Sequence, residues 1–147
     1  MIQTNTPADI IANFLELQGL AGGTTGYALV TGFRSDQRNI VCCSDTGVRY
    51  DGHVHRTKER LKAPKVQVLI RGFDYKDAAK LADKMDVALS KVTVADKIIS
   101  VMPERTVMIS AFMIYMGPSY VGRDPKPGQL ENFSLNGILT LTTVSIP

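Results

Sequence analysis

Residues 65–72 read KVQVLIRG, and residues 73–92 continue FDYKDAAKLADKMDVALSKV; together they spell a strand, a tight turn and a helix. Val66, Val68 and Ile70 alternate with Gln67, Leu69 and Arg71, the period of a strand with one fully apolar face. The period then changes. Asp74 stands at a helix start with Asp77 three residues on, an approximate capping box. Beyond it Ala78, Leu81, Ala82, Met85, Ala88, Leu89 and Val92 recur at steps of three or four and draw one apolar stripe. This unit carries no nucleophile, metal or phosphate signature, which favours a structural role over a catalytic one.

At 147 residues the chain suits one domain that can bury a core without staples. A hydrophobic fraction of 44% and a charged fraction of 21% exclude wholesale disorder, and no apolar run reaches membrane-spanning length. The start, MIQTNTPADII, lacks the basic segment and apolar block of a secretory signal, so a reducing cytosol is the expected place of synthesis. Cys42 and Cys43 agree: adjacent residues on a strand point to opposite faces and form no normal disulfide, so both read as core thiols. Arg56, Lys58, Arg60, Lys62 and Lys65 face only Glu59, an excess larger than the whole chain's net +3, so the charge is a local patch on an otherwise slightly acidic protein.

Outward from the central unit, Thr6-Pro7-Ala8-Asp9 is a helix start, with Thr6 as cap, proline at the first helical position and Asp9 near the free amides. Ile10, Ile11, Phe14 and Leu15 form its buried stripe, and Gly19 with Gly22-Gly23 ends it. Residues 27–31 and 39–44 read as short strands, joined by GFRSDQRN as a hairpin-type connection. Residues 45–64 read as a long polar loop carrying the basic patch, with room for a short local element at 47–50 or 56–61. Residues 97–102 form a strand ended by Pro103.

Residues 107–116 are the most apolar run. Alternation puts Ile109, Ala111, Met113 and Tyr115 on one face and Met108, Ser110, Phe112, Ile114 and Met116 on the other, so neither face suits water. Helices cover one side of such a strand; the other needs a loop or another subunit. GPSYVGRDPKPGQ, residues 117–129, reads as a loop with stiff corners. Phe133, Leu135, Leu139 and Leu141 then share one face of a strand over residues 132–144, roughly 40 Å long at 3.4 Å per residue, with Gly137 marking a bulge or bend. The fold expected is α+β: a mainly antiparallel, mixed sheet of four to six strands with two helices packed on one face, in a single domain with long loops at about 45–64 and 117–129.

No constellation reads as an active site. His53 and His55 would share one side of an extended segment, but two nitrogens do not make a zinc site. Ser44 and Asp45 lack the nucleophile elbow of a hydrolase. The glycines at 19, 22, 23 and 26 follow a helix and lack the P-loop lysine. The basic patch could meet nucleic-acid phosphates, an acidic partner or only water, and without aromatics over residues 52–65 it has nothing to stack on bases. Catalytic residues, metal and cofactor are expected to be none; the other classes open are a nucleic-acid-binding module using this patch, and a small enzyme.

Two clusters carry a resemblance. One is Pro64, Gln67-Val68, Arg71-Gly72, Tyr75 and the alanines Ala78, Ala79 and Ala82; the other is Gly122-Arg123-Asp124, a short proline-containing loop, then Phe133 and Asn136. Their order and spacing resemble the tail-terminator (tail completion) proteins of long-tailed bacteriophages, also called minor capsid proteins, over most of the chain from about Pro64. The resemblance implies a non-catalytic virion subunit, assembled in the bacterial cytoplasm, that forms a ring on the head-proximal end of the tail tube. That ring, a hexamer by the same implication, ends tube growth and offers the head-joining surface. Its implied partners are identical subunits, the tail tube protein and a head completion or connector protein, with DNA passing through unrecognised and no membrane involved; a neighbouring neck protein is the nearest alternative. The resemblance makes Arg71, Arg123, Asp124, Phe133 and Asn136 interface candidates. Met113 and Tyr115 join them from the apolar run, and Arg56, Lys58, Arg60, Lys62 and Lys65 are docking-loop candidates.

Overall fold

The structure, a computed structural model, describes residues 6–23, 25–32, 39–53, 60–91, 99–102, 105–123 and 130–144. Helix α1 (Pro7–Leu17) begins as its sequence dictates: Thr6 Oγ1 accepts from the Asp9 amide at 3.2 Å, and Asp9 Oδ2 accepts from the Thr6 amide at 3.1 Å. Ile10, Ile11, Phe14 and Leu15 are buried. Helix α2 (Tyr75–Ser90) is capped by Asp74, which accepts from the Lys76 amide at 3.2 Å; the cap is single, without the reciprocal bond from Asp77 that the spacing suggested. Its inward face is Ala78, Ala82, Met85 and Leu89.

Six strands, β1 (Ala28–Thr31), β2 (Ile40–His53), β3 (Arg60–Gly72), β4 (Ile99–Met102), β5 (Arg105–Arg123) and β6 (Glu131–Val144), form one sheet in the order β1-β2-β3-β6-β5-β4. All pairs are antiparallel except β1 with β2. Both helices pack on one face, where α1 and α2 share a core with Val41 and Cys43 of β2, Val66, Val68 and Ile70 of β3, Phe112 of β5, and Phe133, Leu135 and Leu139 of β6. The fold is therefore α+β with a mainly antiparallel mixed sheet. Both cysteines are buried, Cys43 toward the helices and Cys42 on the opposite face.

Four readings of the sequence are corrected. First, β1 runs parallel to β2, Ala28 opposite Ile40 and Thr31 opposite Cys43, so the pair is no hairpin; alternation reveals a strand but not its direction, and residues 33–38 lie outside the described ones. Second, the expected loop over 45–64 is largely a β-ribbon, with β2 and β3 paired from Asp45 opposite Val66 to His53 opposite Arg60. Backbone bonds hold this ribbon, so its polar composition resembles a loop; residues 54–59 lie outside the described ones. Third, β5 continues through Gly117-Pro118 to Arg123, with the proline between the paired residues Met116 and Ser119, where the register shifts. A proline at a bulge of an outer strand costs no ladder bond.

Fourth, Gly137 is in unbroken register with β3, Val66 opposite it, and is not itself bulged. It is small because the ring of Phe112 lies on it, so that an added methyl would overlap the ring. The bulge lies across from it in β5, between Ile114 and Met116, and Tyr115 is the extra residue. That one insertion moves Met116 off the Phe112 face and onto the face of Met113, where it reaches the Asn136 amide.

The face turned away from the helices divides in two. Over β2, β3 and β6 it is closed, with Ile40, Cys42, Arg71, Ser134, Asn136 and Ile138 buried. Over β5 it is open, with Met113, Tyr115 and Met116 about half exposed. Phe112 is buried, and Ile114 partly so, on the helix side.

Gly137→Ala should destabilise the fold by about 2 kcal/mol through overpacking, and Phe112→Leu in the same chain should recover part of the loss. Urea unfolding of the two single variants and the double variant measures this; additive losses would show that the two sites do not touch.

Candidate assembly surface

Strand β5 is the centre of the candidate site because of what it lacks. Strand β4 pairs with it only from Arg105 to Met108, and among the described residues no strand borders residues 109–123. That leaves fifteen residues of outer edge, roughly 50 Å of backbone donors and acceptors. Proteins ordinarily guard such an edge with charge, yet none occurs from Val107 to Gly122. Met113, Tyr115, Met116, Tyr120 and Val121 along it are between 48% and 61% exposed.

The C-terminal end of this edge is held by two latches. On the helix face, Tyr120 packs with Tyr75 of α2 and Phe133 of β6 in a trio with ring centroids 5.2–5.3 Å apart. The Tyr120 hydroxyl donates to Glu131 Oε2, and Arg123 Nε donates to Glu131 Oε1 at 2.7 Å. The Glu131 side chain is only 5% exposed while that of Arg123 is 61% exposed, so a buried carboxylate holds a guanidinium out at the rim. The bond from Tyr120 and then the arginine hold the Glu131 carboxyl below its usual range against the opposing effect of burial, and the same bond raises the Tyr120 phenol.

On the opposite face, buried Arg71 donates from Nε to Asn132 Oδ1 at 3.0 Å, and Asn132 Nδ2 donates to the Gly122 and Leu130 carbonyls at 3.1 and 3.2 Å. Three strands are thereby tied at one corner. Buried Asn136 donates to Ser134 Oγ at 3.3 Å.

The expected interface residues fall into two groups. Met113 and Tyr115 lie on the exposed strip, and Arg123 projects at its end. Arg71, Phe133 and Asn136 are buried inside the subunit, where they position the strip rather than present themselves. Asp124 lies outside the described residues, as do Arg56 and Lys58. Arg60, Lys62 and Lys65 are on β3 rather than on a loop, and the Lys65 ammonium sits 5.8 Å from the centre of the Tyr115 ring. Sequence reasoning missed Met116, Tyr120, Val121 and Glu131. Met116 was hidden by the bulge, and the other three by the glycines and prolines around them.

Among the described residues no three His, Cys, Asp or Glu side chains are grouped to hold a metal, and no helix is long and apolar enough to cross a membrane. Burial raises the Cys43 thiol far above its ordinary value, which leaves it inert as a nucleophile. No family model and no curated protein matches the chain.

Glu131→Gln tests the helix-face latch. A carboxyl with a lowered native value adds stability above its ordinary range, and that stability disappears as pH falls through the lowered value. The raised phenol adds stability that is lost as pH rises past 10.0. The variant should therefore lose stability at neutral pH, show a flatter acid limb, and titrate Tyr120 closer to 10.0 by NMR. An unchanged Tyr120 titration would mean that the bond does not form in solution.

Proposed function

We propose that this chain is a non-catalytic virion subunit of a long-tailed phage that forms a ring, caps the tail tube, ends its growth and presents the head-joining surface. One observation carries the reading: a long, uncharged strand edge with half-exposed methionines and tyrosines, which a second protein surface would cover. The resemblance in residues 64–82 and 122–136 supplies the tail-terminator identity. The two ends of the sheet differ, so a contact that joins one end of a copy to the other end of the next is head-to-tail, and such contacts close into a ring when the rotation permits.

Identical subunits are the first partner, the tube protein and a head completion or connector protein the others, and DNA passes the ring without specific contacts. Of the five basic residues, Lys65 sits over the Tyr115 ring within the sheet, which makes that one less available to a phosphate.

Electron microscopy of the purified chain should show annuli of uniform diameter, and adding it to polymerising tail tubes should give tubes capped at one end that stop lengthening. A monomer at high concentration, together with tubes that lengthen unhindered, would remove the proposal.

A further inference from the structure

We infer that neighbouring copies join by adding the free edge of β5 in one copy to the free edge of β2 in the next, as an antiparallel strand pair with Arg123 set beside the neighbour's Asp45. The inference deepens the ring reading and rests on it for closure; the strand pair itself stands on the sheet's register.

Both outer edges of the sheet are incomplete in complementary ways. Strand β1 pairs with β2 only from Ile40 to Cys43, so residues 44–53 have no outer partner among the described residues, as residues 109–123 of β5 have none. Direction follows from the pairings. Strands β2 and β6 point one way and β5 the other. When copies are related by rotation about an axis to which the strands run obliquely, β2 keeps its sense along that axis, so it meets β5 antiparallel and offset along the strand.

Register follows from two obstacles and one parity. The neighbour's β1 occupies the edge beside Ile40–Cys43, so the end of β5, Arg123, can advance no further than residue 44. Strand β4 occupies the edge beside residues 105–108, and at that limit the neighbour's β2 stops short of it. Directly opposed residues must also share a face. Arg123 is opposite Glu131, which shares a face with the core residue Phe133; on β2 that helix face holds Cys43 and Asp45, whereas Ser44 is on the other. The closest permitted partner of Arg123 is therefore Asp45.

The charges agree with that geometry: an arginine projecting at the rim meets an exposed aspartate whose Oδ1 accepts from the Ala8 amide at 3.0 Å. The joint would cover Met116, Tyr120 and Val121. Within one chain the two residues lie on different strands separated by β3 and β6, so a contact between them can only be intermolecular.

The test mixes chains blocked at one edge each. Met116→Lys with Val121→Lys blocks β5, and Thr46→Pro blocks β2 at a residue between Asp45 and Gly47 that has no register partner on β3. By sedimentation velocity the unaltered chain should be oligomeric, each blocked variant monomeric, and their equal mixture a heterodimer built on the remaining intact joint. Separately, mixing Arg123→Cys chains with Asp45→Cys chains under mild oxidation should give a disulfide dimer containing one of each, a readout that does not depend on tolerance of the proline.

Self-association of the Thr46→Pro chains would indicate a β5–β5 joint and overturn the inference, as would oligomers that survive the lysines or failure of the mixed disulfide. Joint-dependent oligomers that leave tail tubes unaffected would remove the capping function and uphold the joint. Rings that cap tubes but ignore both edge blocks would do the reverse.

Discussion

Every non-proline residue of a strand carries a donor and an acceptor that must be paired on one side or the other, and β5 has far more of them than the described residues supply partners for. Strand β6 satisfies one side along most of its length; β4 satisfies the other over four residues. The departures from regularity in this molecule gather on that strand. It carries register shifts between Ile109 and Ala111, Ile114 and Met116, Met116 and Ser119, and Tyr120 and Gly122, and it tolerates a proline because none of the described strands pairs with its outer edge there. Bulges bend and twist an edge, which is one way of keeping it from pairing indiscriminately while leaving it able to pair with a surface of matching shape.

The remainder of the fold supports this edge. Two capped helices cover one side of the sheet and leave β5 anchored by Phe112 on Gly137. At its far end, Glu131 fixes Tyr120 and Arg123 on the helix face, while Arg71 and Asn132 fix the Gly122 carbonyl on the other. A strip held at both ends loses little freedom when a partner covers it, which lowers the cost of association. Burying the half-exposed Met116, Tyr120 and Val121 would yield on the order of 1 kcal/mol each. That sum is comparable to the low end of the estimated 4–15 kcal/mol cost of bringing two molecules together. Side-chain burial alone would leave a single joint weak. Backbone pairing along the strand, and the closure of a ring in which each subunit makes two joints, would make the assembly firm.

Much of the scaffold was legible because its signals are local. Thr6, Pro7 and Asp9 spell a helix start, Val66, Val68 and Ile70 a strand face, and Ala78, Ala82, Met85 and Leu89 a helix stripe; all three took the form their spacing required. What escaped depends on partners distant in sequence. The parallel direction of β1 is set by its neighbour, and the ribbon over residues 45–53 and 60–64 is held by the backbone, which composition does not report. Gly117-Pro118 signals a loop and would make one in a central strand, yet at an edge it is tolerated. The same distinction separates the interface candidates: Met113 and Tyr115 followed from alternation, whereas buried Arg71 is met by Asn132 across the sheet and buried Asn136 by Met116 of β5.

Hydrogen exchange of the backbone amides, followed by mass spectrometry over a wide range of protein concentration, probes the unpaired edge most directly. The outward-facing amides of residues 115–123 and 45–53 should exchange quickly in dilute solution and become protected together as concentration rises, with the α1 and α2 amides unchanged. Exchange at both edges that is independent of concentration, with the edge amides already slow in the monomer, would show that the chain completes its own sheet and would contradict a role built on self-assembly.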